Sequence, residues 1–189
     1  MITDPLRCVG AAWLVFGLYW LMQGLRAKRP ERREPPSERL PHVALMVAAA
    51  YFIAVRHPNL GRLNDRLLPD APWLAPLGVA LTFAGVAFAI WARHHIGQYW
   101  SARVSIVAEH KLIRTGPYAR IRHPIYTGML LALVGTALVE NEYRVLLGLA
   151  LALIGFARKA RKEEGFLKAQ FGEAFDEHQR QTGFFLPKL

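Results

Sequence analysis

The residues able to do chemistry concentrate in the stretch 93–128, RHHIGQYWSARVSIVAEHKLIRTGPYARIRHPIYTG. Gly97, Gly116, Pro117 and Pro124 interrupt it, and His110, Tyr118, Arg122, His123 and Tyr126 supply rings and cations. A long irregular segment held between regular elements is a favoured place for a binding site. Four histidines, His94, His95, His110 and His123, invite a metal reading. Adjacent histidines on a helix point about 100° apart, however, and no Cys or carboxylate stands at a ligand spacing, so no metal is expected. The chain has neither a Walker loop nor a GxGxxG turn, which leaves a soluble-type nucleotide site unsupported. Gln98-Tyr99-Trp100 near Arg103 reads as an interfacial aromatic belt rather than a nucleic-acid platform. Taken singly, Arg122-His123-Pro124 describes a juxtamembrane helix start, and Glu163-Glu164 describes a solvated face.

The elements that must position these residues are apolar helices. The 189 residues are 53% hydrophobic and 20% charged, with a formal net charge of +10 and a single cysteine, Cys8. Mean hydropathy is +0.16. Such a balance excludes disorder and a disulfide scaffold, and it is richer in apolar residues than a soluble domain of this length. Five blocks lack Asp, Glu, Lys and Arg: 8–25, 40–55, 71–92, 123–139 and 145–157. A bilayer crossing takes about 20 helical residues, which the first and third satisfy. The last two form a helical hairpin turning at Glu140-Asn141-Glu142.

If all five blocks cross, one side carries 19 Lys/Arg and the other 5. By the positive-inside rule the N-terminus is then outside, with the 93–122 loop and the C-terminus cytoplasmic. Arg26 to Arg33 follows the first block where a signal peptidase would want small residues, so a membrane helix is expected there rather than a leader. Gly128, Ala132 and Thr136, and again Gly148 and Ala152, recur at i+4 and are expected to let helices approach closely. The stretch 31–41 reads as an extended connector around Pro35-Pro36. The tail 158–189 reads as starting with a basic helix that turns amphipathic.

Three blocks in order resemble a known family. His110-Lys111-Leu112-Ile113, then Gly116-Pro117-Tyr118, then Arg122-His123-Pro124-Ile125-Tyr126 with Gly128 look like the signature of the isoprenylcysteine carboxyl methyltransferases, relatives of the phospholipid methyltransferases. Glu163-Glu164 with Phe171-Gly172, and the ending Phe185-Leu186-Pro187, fit the same pattern. The resemblance covers roughly residues 85–189. Arg56-His57-Pro58 repeats three letters of it, without the tyrosine and on the opposite face, and reads as coincidence.

The apolar blocks predict an all-α integral membrane domain with its first three membrane helices in 1–92, and the resemblance implies that 93–189 is a methyltransferase-like cofactor-binding core. It implies methyl transfer from S-adenosylmethionine to a lipophilic acceptor, most simply a carboxylate of the isoprenylcysteine type. By matching position, cofactor contacts fall on His110, Lys111, Leu112, Ile113, Tyr118, His123, Pro124, Ile125, Tyr126 and Glu163, with Glu164 beside it. Acceptor contacts fall on Lys159, where the eukaryotic enzymes have Arg, and on Arg158. Lys is a point charge without the planar fork, so a bidentate grip on a carboxylate is not expected. A Glu suits the cofactor's ammonium, His123 or Arg122 its carboxylate, and Tyr118 or Tyr126 its sulfonium. Methyl transfer to a carboxylate or thiolate needs no general acid or base, so only Arg122 stands as a candidate for a catalytic role.

Expected partners are a lipophilic or lipidated acceptor and membrane lipids, not nucleic acid. Two competing readings are an NADPH-dependent reductase of the sterol-reductase kind and a non-enzymatic scaffold gripping anionic lipid. The reductases are expected to carry Asn and an acidic residue where this chain has Ile125 and Met129. The scaffold explains the charge but not the grouping of His, Tyr and Glu.

Overall fold

A computed structural model describes residues 4–26, 36–55, 59–97 and 112–188. Six α-helices account for most of them: α1 (Pro5–Arg26), α2 (Pro36–Ala54), α3 (Leu74–Ile96), α4 (Pro124–Glu140), α5 (Tyr143–Phe171) and α6 (Glu173–Gln181). The spans Pro5–Leu25 and Leu74–Ile96, with mean hydropathies of 1.5 and 1.9, are long and apolar enough to cross a bilayer. Apolar stretches in α2 (Arg39–Ala54) and α4 (Pro124–Glu140) are shorter.

Small residues decide which helices meet. A Cβ on Gly85 of α3 would lie 2.4 Å from Ala132 N, and one on Gly128 of α4 would lie 2.6 Å from Ala89 N. Gly135 abuts Gly78 and Thr82 in the same way. Backbones this close exclude any side chain between them, so the stripe expected from the sequence is a helix–helix seam, with α3 as its partner. The other stripe serves a different helix: Gly148 and Ala152 of α5 pack on Ala49 and Ile53 of α2. The hairpin legs thus dock chiefly on earlier helices. α1 joins through Trp13, whose indole donates to Thr136 Oγ1 at 3.0 Å, and through Phe16 against Val86, Ala89 and Ala132.

One end of the bundle is locked by Arg144, the largest fully buried side chain among the described residues. Its guanidinium donates to Glu142 Oε2 (2.5 Å), Glu140 Oε2 (2.8 Å) and the carbonyls of Phe52 (2.7 Å) and Ile53 (3.0 Å). These carbonyls belong to the last turn of α2, which lacks helical donors. Asn141, in the left-handed region at φ 51°, makes the hairpin turn and exchanges side-chain hydrogen bonds with the Leu68 backbone.

Two sequence expectations are corrected. α2 already begins at Pro36 and takes in Pro41, so the second half of the supposed connector is helix. Proline is well tolerated in a first turn, and Pro41 forgoes one backbone bond. Nor does a new helix start at 158: α5 runs unbroken for 29 residues, about 44 Å, until Gly172 stops it with φ 52°. Strong helix formers from Arg158 to Glu164 give the apolar half no reason to end.

Candidate functional site

Three segments meet where α5 leaves its apolar half: the turn 112–123, the start of α4, and the tail 172–186. Pro124 opens α4 at its first turn, so Arg122 and His123 stand just outside the helix with side chains free to face α5. The tail then straps the turn. Gly183 N donates to Arg120 O (3.0 Å), Arg122 N to Gly183 O (2.9 Å), His123 N to Phe184 O (3.2 Å) and Thr127 Oγ1 to Phe185 O (2.7 Å).

Within that frame the polar side chains form a continuous series. Tyr126 Oη donates to Glu163 Oε1 at 2.7 Å. Glu163 Oε2 lies 3.8 Å from His123 Nδ1, and His123 Nε2 lies 3.1 Å from Glu164 Oε1. That oxygen also accepts from Arg122 Nε at 2.6 Å, while Glu164 Oε2 accepts from Gln179 Nε2 at 3.2 Å. Burial pushes the Glu164 carboxyl up, but hydrogen bonds and charge from His123 and Arg122 outweigh it and hold it below its ordinary value. Arg122 also reaches the carbonyls of Thr182 and Gln179, and its guanidinium lies 5.7 Å from the Phe184 ring centroid.

The aromatic wall is equally specific. Tyr126 stacks with Phe156 (5.2 Å, 10°) and with His123 (5.8 Å, 16°), and the Lys159 ammonium stands 6.0 Å from its centroid. Tyr118 is 8% exposed and stacks on His95 at 6.4 Å. Burial, then the nearby Glu163 carboxylate, pushes its phenol far above the usual value, so Tyr118 stays a neutral donor. His95 Nε2 lies 2.9 Å from Thr115 Oγ1, and a Cβ on Gly116 would lie 2.6 Å from its ring. With φ 59° as well, only glycine suits position 116.

The structure therefore brings together Tyr118, Arg122, His123, Tyr126, Lys159, Glu163 and Glu164. Leu112 is half-buried, and Ile113 packs with Ile125 on Ala92 and Tyr118, behind the polar series. Pro124 is fully buried as part of the turn. Arg158 is exposed, one position and about 100° round α5 from Lys159. His110 and Lys111 lie outside the described residues. Among the described residues, no three His, Cys, Asp or Glu side chains gather as a metal site.

The sequence motif of the isoprenylcysteine carboxyl methyltransferase family matches residues 78–169, from the α3 glycine seam through the acidic pair. Residues 78–169 are therefore similar to that family. The cobalt-zinc-cadmium resistance protein of Cupriavidus metallidurans is 34% identical over 122 residues, 64% of this chain and 54% of that protein. A nickel-cobalt-cadmium resistance protein of Alcaligenes xylosoxydans xylosoxydans is 31% identical over the same shares. The chain thus spans about half the length of these two relatives. A probable protein-S-isoprenylcysteine O-methyltransferase of Oryza sativa subsp. indica is 26% identical over 151 residues, 76% of this chain and 79% of the rice protein. Among solved structures, a eukaryotic intramembrane Ras methyltransferase, an isoprenylcysteine carboxyl methyltransferase, superposes with a TM-score of 0.58 at 21% identity. It covers 83% of this chain and 54% of that one, and the likeness is one of fold. Within that shared fold, Pro5–Leu25 and Leu74–Ile96 are the two helices long and apolar enough to cross a bilayer among the described residues.

Residues that sequence reasoning passed over complete the site. His95 holds the Gly116 turn, and Gln179, Thr182 and Phe184 close it from the tail. The one signal for His95 was its doublet with His94, which pointed toward metal. The tail residues gave none, because their contacts exist only once the tail lies against the turn 112–123.

Proposed function

We propose that the protein is a membrane-embedded methyltransferase that uses S-adenosylmethionine and acts on a lipophilic acceptor, a carboxylate of the isoprenylcysteine type or one similar to it. The observation that carries this reading is the convergence of Tyr118, His123, Tyr126 and Glu163 from three separate sequence blocks onto one place. The donor set fits the cofactor: a carboxylate with one oxygen bonded by Tyr126 and the other turned to His123, beside buried neutral phenols. When bound, the cofactor supplies an activated methyl group on a sulfonium.

The chain's own residues bind, orient and exclude water. Glu163 takes the ammonium. Tyr118 suits the sulfonium better than Tyr126, whose ring already faces the Lys159 cation. Lys159, half-buried one turn before Glu163, offers a point charge to an acceptor carboxylate, and the apolar surface of Phe156, Met46 and Leu130 continues from it toward the membrane. Arg122 is engaged by Glu164 and the tail carbonyls, which makes it a brace of the site. A positioned pair of reactants in a dry site needs no proton transfer. The proposed topology is five passages with the site cytoplasmic, supported by the 19-to-5 split of Lys/Arg.

The test is equilibrium binding in detergent of S-adenosylmethionine against NADPH, with mass spectrometry of lipid extracts for a product heavier by one methylene. Binding of the former and a methylated lipophilic product are expected. Preference for NADPH returns the reductase reading.

A further inference from the structure

The two adjacent glutamates are bonded very differently. Glu164 receives three donors, Arg122 Nε, His123 Nε2 and Gln179 Nε2, on a side chain 13% exposed. Glu163, at 25%, receives one, the Tyr126 hydroxyl, on Oε1. Its Oε2 stands 3.8 Å from His123 Nδ1, beyond hydrogen-bond length. A neutral imidazole has one donor nitrogen and one acceptor nitrogen. An ionised carboxylate only accepts, and Glu164 is held ionised by its neighbours. The nitrogen facing Glu164 at 3.1 Å must therefore carry the hydrogen.

We propose that Glu164 is a positioning residue: it fixes His123 with hydrogen on Nε2, so that Nδ1 and Glu163 Oε2 form a two-acceptor receptor for a primary ammonium. The inference rests on the methyltransferase reading for the identity of that ligand, but not for the state of His123. Two acceptors 3.8 Å apart can share one NH3+ group, which has three donors. The same geometry turns His123 away from a ligand carboxylate, since both of its nitrogens already face carboxylates. The cofactor's carboxylate must then find its partners on residues other than His123. Because Glu164 also bonds Arg122 and Gln179, the tail and the receptor are set by one side chain.

The test uses the full-length protein in detergent, labelled with 15N-histidine. Long-range proton–nitrogen spectra at pH 8 should show His123 protonated on Nε2 alone. Glu164→Ala should give a mixed tautomer and bind S-adenosylhomocysteine roughly 10-fold more weakly, the loss of one oriented charged hydrogen bond. Its affinity for the deaminated analogue, which lacks the ammonium, should change less than about twofold on the same grounds. Glu164→Gln keeps an acceptor oxygen and should restore both tautomer and affinity. A wild-type His123 protonated on Nδ1, or on both nitrogens, overturns the proposal. So does an Ala variant that weakens both ligands equally, which is what a merely structural role would give. Should Glu164→Ala fail to fold, the wild-type spectrum and Glu164→Gln still decide. Absence of any binding by the wild type sinks the methyltransferase reading instead, while the spectrum continues to judge the role of Glu164.

Discussion

Tyr126 Oη donates a 2.7 Å hydrogen bond to Glu163 Oε1, tying the first turn of α4 to the C-terminal half of α5. The contact fixes one carboxylate oxygen and leaves the other for a ligand. Glu163→Gln should therefore lower S-adenosylmethionine affinity roughly 10- to 100-fold, since a charged hydrogen bond is worth about 1.5–3 kcal/mol. Tyr126→Phe keeps the charge and should cost about 3- to 10-fold through lost orientation. Titration calorimetry on both variants, each first shown monodisperse, checks the order. A Tyr126→Phe effect larger than that of Glu163→Gln would assign the ammonium to another group.

Gly128 lies in the seam between α3 and α4, with no space beside it. Its missing Cβ would meet Ala89 N and Gly85 O at 2.6 Å. Gly128→Leu should consequently separate α3 from α4 and abolish extraction of a monodisperse protein, and Gly128→Ala should cost about 1–3 kcal/mol by overpacking. Gly17→Ala is the control, because nothing lies within 4 Å of a Cβ there. Size-exclusion profiles and thermal melts in one detergent read the difference. Equal stability of the Gly128→Ala and Gly17→Ala variants would contradict the seam.

Which parts were legible follows from what periodicity and motif can carry. The apolar blocks announced α1, α3 and α4 closely, since uncharged runs have one physical use. The Tyr118, His123, Tyr126 and Glu163 positions were legible because residue types sat at motif spacing. Partner choice was not: the Gly128 and Gly148 stripes look alike, yet one meets α3 and the other α2. Nor was the division of labour at the acidic pair, because Arg122 and Gln179 reach Glu164 only after α6 folds back. His95 acts through shape against Gly116, which no residue-type rule encodes.

Arg144 lies about 20 residues, hence about 30 Å, along α5 from the acidic pair. Its side chain is 0% exposed and joins Glu140, Glu142 and the end of α2. Arg144→Leu should leave two carboxylates without their cation and cost about 3–5 kcal/mol, the range for breaking a buried pair. Cofactor affinity of whatever folds should be unchanged. A large melting-temperature drop with unaltered calorimetric affinity is the expected result, and altered affinity would mean that the two ends of α5 are coupled.

Acid should loosen the tail in two stages. Burial, then the charges of Arg114 and Arg122, push the His178 imidazole below its usual 6.5. A base held neutral by folding takes up its proton first in the unfolded chain, so its stabilisation is full above pH 6.5 and is lost as pH falls below that value. Glu164, also depressed, adds stability above about its ordinary 4.5 that is lost at lower pH still. Melting temperature should thus be flat from pH 8 to 6.5 and then fall. His178→Gln should flatten the first stage only. A wild-type protein whose stability rises on acidification from pH 7 to 6 would reverse the sign and refute the assignment.

Topology can be read with single cysteines on a Cys8→Ser background. Lys168 is well exposed near the site end of α5, and Leu63 is exposed at the Arg144 end. With five passages, a membrane-impermeant maleimide added to intact cells should label Leu63→Cys and spare Lys168→Cys until the membrane is opened. Labelling of Lys168→Cys from outside would invert the protein and put the site on the wrong side for a cytoplasmic cofactor.

The acceptor is expected to reach Lys159 from the bilayer. Beyond the Lys159–Tyr126 contact the lining turns wholly apolar, with Phe156, Met46, Met129, Leu130 and Leu133 in one cluster between α2, α4 and α5. A carboxylate at the head of a long hydrocarbon would meet the ammonium and lay its chain along that surface, each buried methylene adding up to about 0.8 kcal/mol. Chain-bearing acceptors should therefore outrun a chain-free analogue in kcat/KM, by an amount that rises with length. Lys159→Ala should lower kcat/KM for carboxylate acceptors about tenfold while calorimetric affinity for S-adenosylmethionine holds, because Lys159 touches Tyr126 by its charge alone. Lys159→Arg should keep or raise the rate, since the planar fork grips a carboxylate through two hydrogen bonds. Equal rates for lipidated and chain-free acceptors in detergent would move the acceptor to the aqueous side, and an unaffected Lys159→Ala would remove the carboxylate from the acceptor's description.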